Sequence, residues 1–167
     1  MEGPLQILKE ESLKVKELIG NIKIKPTKNQ DKNPLPIHIY INISQPDDAL
    51  AYDINEIKLE IIITQLEPAQ LLVKVDPQLN GLPIELSTAM EKMIQKQWDY
   101  SLMKKNNQEF ISWMFPEIMK WVKLRFVKII SCVPDCLESY LGTSAAGESM
   151  RRYAVIIKSN IISINIR

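Results

Sequence analysis

Glycine is scarce in this chain, five among 167 residues, and Gly142 and Gly147 lack the lysine and the strand-to-helix setting of a phosphate-cradling loop. Histidine is scarcer still. His38 is the only one, and it sits in a strand-like alternation rather than beside a nucleophile, so a Ser-His or Cys-His catalytic arrangement has no base to draw on. Cys132 and Cys136 are the only cysteines. Two thiols and one imidazole fall short of the roughly four ligands of a structural zinc site. Their four-residue spacing in a region that reads as helical does not suit a disulfide, so we expect buried structural thiols in a reducing compartment. Charge of one sign is also lacking. Twenty-one Lys and Arg against twenty Asp and Glu leave a net +1, which disfavours general affinity for nucleic acid. No segment reaches about 18 uninterrupted apolar residues, so no membrane span is expected. The opening Met1-Glu2-Gly3-Pro4-Leu5 has no charged region followed by an apolar run. A cytoplasmic or nuclear chain is expected.

What is present is core. The hydrophobic fraction of 46% and the charged fraction of 25% fit a folded domain, and a chain of this length buries roughly 70% of its unfolded surface. Residues 4–19 carry Leu5, Leu8, Ser12, Val15 and Ile19 at alternating three- and four-residue spacings, an amphipathic helix with Pro4 near its start and Gly20 at its end, expected to dock on the domain's own sheet. Ile22 and Ile24 alternate with Lys23 and Lys25 in a short, lysine-marked edge strand. Residues 27–36 are a polar loop, in which Lys28 and Lys32 extend that basic cluster as solvated charge. Residues 37–43 alternate without a fault, placing four isoleucines inward and His38 and Tyr40 outward. Asp47, Asp48 and Asp53 follow in a loop that lacks the calcium-loop spacing and its turn glycine.

The best-specified stretch is 54–103. Ile57, Leu59, Ile61 and Ile63 share one strand face, because successive side chains alternate across a sheet. Pro68 falls in a turn, 71–75 resume as a strand, and Asp76-Pro77 and Asn80-Gly81 mark the end of the sheet. From Pro83 to about Met103, Leu86, Met90, Ile94, Trp98 and Leu102 recur at four-residue spacing and make a helix that covers the strand face. Residues 110–130 form a second helical region, opened or kinked at Pro116 and apolar on more than one face. Residues 134–142 read as a short third helix. The tail reads as a loop over 143–149 and extended segments over 153–158 and 161–167, where Ile162, Ile164 and Ile166 alternate with polar residues. The expectation is an α+β fold with a domain at 1–142. It comprises an N-terminal helix, a four-stranded antiparallel meander, two long helices packed on the sheet and a short helix. An extended tail at 143–167 pairs with the sheet or with a partner.

No convergence of polar residues marks a catalytic, cofactor, metal or small-molecule site, so none is expected. The expected function is a non-catalytic protein-protein interaction domain or a structural subunit of a larger assembly, with another protein as partner. The excess apolar surface nominates Trp113, Phe115, Trp121 and Phe126 as partner-binding residues. The adjacent Arg151 and Arg152 are nominated with them, as a pair able to grip a carboxylate or phosphoryl group in bidentate fashion, unless they are surface arginines paired with Glu138 or Glu148.

The order of elements, carried by the helix at 5–19, the strand at 57–64, the turn around Pro68, the strand at 71–75 and the helix start Gly81-Leu82-Pro83, resembles the RWD domain over residues 4–131. That family is the non-catalytic relative of the ubiquitin-conjugating fold. Active conjugating enzymes carry His-Pro-Asn shortly before a nucleophilic cysteine, whereas here His38 precedes Ile39 and both cysteines lie far downstream. The resemblance therefore implies a docking platform of the kind found in translation-control kinases, ubiquitin ligases, kinetochore subunits and scaffolds. A ubiquitin-pathway conjugating-enzyme variant using Cys132 or Cys136, or a ligase-associated docking module, is the alternative.

Overall fold

The computed structural model describes residues 4–26, 35–46, 52–66, 69–104, 115–143 and 145–164. Helix α1 (Pro4–Ile19) is followed by strands β1 (Ile22–Pro26), β2 (Ile37–Ser44), β3 (Glu56–Leu66) and β4 (Ala69–Lys74). Helix α2 (Pro77–Asn80), helix α3 (Ile84–Lys104), helices α4 (Phe115–Leu124) and α5 (Phe126–Ile130), two 3-10 turns (Pro134–Cys136 and Glu138–Tyr140) and helix α6 (Ala145–Ile164) complete the order. The fold is α+β, as expected. The sheet runs β1-β2-β3-β4 with every pair antiparallel, the meander that short connections favour.

Register explains why the sheet has one apolar face. Ile39 pairs with Ile61, Ile41 with Leu59 and Ile43 with Ile57, so the isoleucines of β2 and β3 stand side by side on the inner face. The eight residues Ile37, Ile39, Ile41, Ile43, Ile57, Leu59, Ile61 and Ile63 are all essentially inaccessible to solvent. At about 1.5–3 kcal/mol for each large aliphatic side chain, this face is a principal stabilising element. Leu86, Met90, Ile94 and Trp98 of α3 are buried against it, and Leu102 is half-buried at the far end of the stripe. Leu8, Ser12 and Val15 of α1 are buried too. The expected docking of α1 on the sheet holds in part, since α1 packs chiefly on α4 and more lightly on β1 and β2. Ser12 satisfies its hydroxyl by donating to Leu8 O at 2.6 Å, and Glu11 pairs with Lys14 at 2.7 Å.

The outer edge of β4 is closed by side chains. Gln95 Oε1 accepts from Val73 N at 2.9 Å, Gln95 Nε2 donates to Leu71 O at 3.2 Å, and Glu91 Oε1 accepts from Val75 N at 2.8 Å. Helix α3 thus supplies the ladder partners that another strand would have provided, which blunts an edge open to association. Gln95→Ala is expected to cost about 1–3 kcal/mol, because it strands backbone groups that the helix keeps from water. A loss of under about 0.3 kcal/mol, read from the urea midpoint multiplied by the denaturant slope, would show that water replaces the amide freely.

Two further features refine the reading of the chain between sheet and helix. Asp76 caps α2 by accepting from Leu79 N, and Gly81 ends it at φ 62, a left-handed conformation that costs glycine nothing. Asn80 then pairs with both backbone groups of Lys58, accepting from its N–H at 2.7 Å and donating to its carbonyl at 3.0 Å.

The C-terminal third departs from expectation. Pro116, expected either to open or to kink its helix, is the second residue of α4 and opens it, but the segments after α5 differ. Residues 134–142 form two 3-10 turns instead of one helix. Residues 145–164, expected as a loop and extended segments, are a single α-helix. With Gln95 and Glu91 occupying the β4 edge, a C-terminal strand would find no ladder there. A helix satisfies its backbone groups within itself.

Candidate interaction surfaces

At the helical pole, the chain after α5 is tied back to the loop before β3. Tyr52 pairs with Leu141 as an antiparallel bridge, and Asp53 N donates to Tyr140 O at 2.6 Å. The Tyr52 and Ser131 hydroxyls lie 2.9 Å apart, and Tyr140 Oη donates to Gly81 O at 2.9 Å. Gln45 Nε2 donates to the carbonyls of Tyr52 and Ile54. Beside this knot lies a cleft of about 180 Å³, walled by Pro134, Leu137 and Leu141 on one side and by Met150 and Tyr153 of α6 on the other. Its lining is almost wholly carbon, with Glu138 near it. It presents an apolar surface and no array of polar groups to orient a reacting substrate.

Helix α6 meets the body at Met150, Arg151 and Tyr153. Arg151 donates to Leu141 O and pairs with Glu148 at 3.6 Å, which matches the surface-arginine reading for one of the two arginines. Arg152 is exposed. Tyr153, Val155 and Ile156 keep 62%, 56% and 57% of their surface in solvent. Of the other nominated residues, Trp121 is half-buried against the core. Phe126 is fully buried within it and so packs the domain rather than offering a surface. Trp113 and the Phe115 side chain lie outside the described residues.

Cys132 lies in the turn after α5 and Cys136 ends the first 3-10 turn, so neither is in an α-helix, and both are free and half-buried. Burial pushes the Cys132 thiol up, with the neighbouring Cys136 adding to the shift against a backbone hydrogen bond that lowers it. A raised thiol holds less thiolate near neutral pH and is a poorer nucleophile. His38 points from the opposite face of the sheet, away from the core against which both cysteines pack.

That opposite face is a second surface. Two rows cross the sheet, Lys25-His38-Ile62-Leu72 and Lys23-Tyr40-Glu60-Lys74, as register dictates. On this face Glu60 Oε1 sits 2.7 Å from His38 Nδ1. The two are 22 residues apart in sequence, and only the β2-β3 register brings them diagonally together. His38 and Tyr40 stack with ring centroids 6.5 Å apart, and the Lys25 ammonium lies 5.0 Å over the Tyr40 ring. Burial by this packing, then the hydrogen bond to Glu60 and its charge, push the Tyr40 phenol above its ordinary range. Among the described residues no group of three or more His, Cys, Asp or Glu side chains is placed to hold a metal, and no helix is long and apolar enough to cross a membrane.

A one-sided antiparallel sheet with helices on its inner face and two solvent-facing surfaces defines an α+β domain of the helix-on-sheet kind. No family model, curated protein or solved structure matches the chain.

Proposed function

We propose that this chain is a non-catalytic protein-protein interaction domain, a structural subunit of a larger intracellular assembly, cytoplasmic or nuclear, with the element order of an RWD domain. The observation that supports this most is α6. Helices in proteins owe most of their stability to packing of an apolar face. Here a 20-residue helix leaves Tyr153, Val155 and Ile156 more than half exposed beside an apolar cleft. A partner protein laid along α6 covers those side chains. The raised Cys132 thiol and the separation of His38 from both cysteines support a non-catalytic role over thioester chemistry.

Cross-linking mass spectrometry on the native assembly tests this reading. Cross-links from Lys158, in α6, to another polypeptide are expected, and the purified chain is expected to bind an apolar dye. Intrachain cross-links alone, with a purified chain that is monomeric and binds no dye, would remove the reading.

A further inference from the structure

We propose that the outer face of the sheet is a docking site for an acidic protein segment with an apolar anchor, separate from the surface on α6. This rests on the reading of the chain as an interaction domain, and the two are distinguishable by experiment.

Charge and shape on that face argue for this occupant. The row Lys23-Tyr40-Glu60-Lys74 spans about 15 Å at the usual strand spacing. It carries an exposed ammonium at each end, and among the described residues neither Lys23 nor Lys74 has a carboxylate within ion-pair distance. The two carboxylates of the face are already engaged. Glu60 is held by His38 and Tyr40, and Glu56 pairs with Lys58 at 3.3 Å. What remains for an incoming chain is therefore cationic. The next row ends in Leu72, 51% exposed, with half-buried Ile62 beside it, an apolar foothold rimmed by charge. Tyr40 stands between, an aromatic fixed by Lys25, His38 and Glu60, so little side-chain freedom would be lost on contact.

Other occupants fit less well. A nucleic-acid backbone would meet the Glu56 and Glu60 carboxylates in mid-surface and leave Leu72 unused. Helix α6 of a second copy carries Arg151, Arg152 and Lys158 against Glu148, the same sign as the lysine rim. An acidic segment matches the lysines by charge and seats an aliphatic side chain on Leu72 and Ile62.

The test uses the full chain and a short fluorescein-labelled peptide of glutamates with leucine anchors, beside its lysine-for-glutamate counterpart. The acidic peptide is expected to bind, weakening with salt, and binding is expected to fall roughly tenfold or more in Lys23→Glu/Lys74→Glu and in Leu72→Ser. Both variants change exposed positions and are expected to melt close to the unmodified chain. Amide shifts on the unmodified chain provide a second readout that needs no variant: the peptide is expected to move β3 and β4 and leave α6 still. The proposal is overturned if the acidic peptide does not bind, if the lysine counterpart binds as well, or if the shifts fall on α6. It is also overturned if anionic phospholipid vesicles bind through the same residues while the peptide does not, or if Leu72→Ser merely dissolves a self-association. Persistent cross-links through α6 without peptide binding would end this inference and leave the interaction-domain reading standing. Peptide binding without a partner on α6 would do the reverse for that helix.

Discussion

Trp98→Ala is expected to remove about 3–5 kcal/mol of folding stability. Trp98 is completely buried, on the face of α3 that closes the inner side of the sheet, and it is the largest fully buried side chain among the described residues. Truncation loses the transfer of the indole from water and leaves a cavity that a sheet of close-set isoleucines cannot collapse to fill. Against a total stability of about 5–15 kcal/mol, this loss brings the domain near its unfolding threshold. Urea denaturation would read it as a lowered midpoint with an unchanged slope. Met103→Ala, at an exposed position on the same helix, is the control and is expected to stay within about 0.5 kcal/mol. If the two variants unfold alike, α3 does not seat on the sheet through the stripe ending at Trp98.

Phe126→Ala is expected to cost a similar amount, about 3–5 kcal/mol, and Trp121→Ala roughly half as much. Both aromatics were nominated for a partner on grounds of excess apolar surface. Phe126, at the start of α5, is wholly enclosed, while Trp121, one turn earlier on α4, is half-buried. Thermal melts of the isolated chain separate the two roles. Phe126→Ala should melt far below Trp121→Ala, and equal melting temperatures would mean that α5 is not part of the core.

The sheet and α3 were legible in the sequence because both carry an unbroken period. Alternation at 37–43 and 57–63 and the four-residue stripe Leu86, Met90, Ile94, Trp98 each determine which side chains turn inward. The helix at 145–164 was not legible. The alternating Ile162, Ile164 and Ile166 suit a strand as well as a helix, and spacing alone does not reveal that the β4 edge is already engaged by Gln95 and Glu91, far from the tail in sequence. The outer-face cluster was hidden for the same kind of reason. His38 and Tyr40 were placed outward correctly, but their union with Glu60 and Lys25 depends on register between strands. At 110–130 the apolar excess was visible, yet which aromatic is enclosed follows from where α4 ends and α5 begins, at Arg125.

The meander is complete by Lys74, whereas the helices that cover its inner face end at Lys104 and Ile130. A growing chain emerges at roughly 5–20 residues per second, so the isoleucine-bearing strand segments precede their covering helices by on the order of several seconds during every round of synthesis. Those segments are exposed apolar sequence until the helices follow. Slowing translation between codons 75 and 130 should raise its demand for chaperones more than slowing it anywhere earlier.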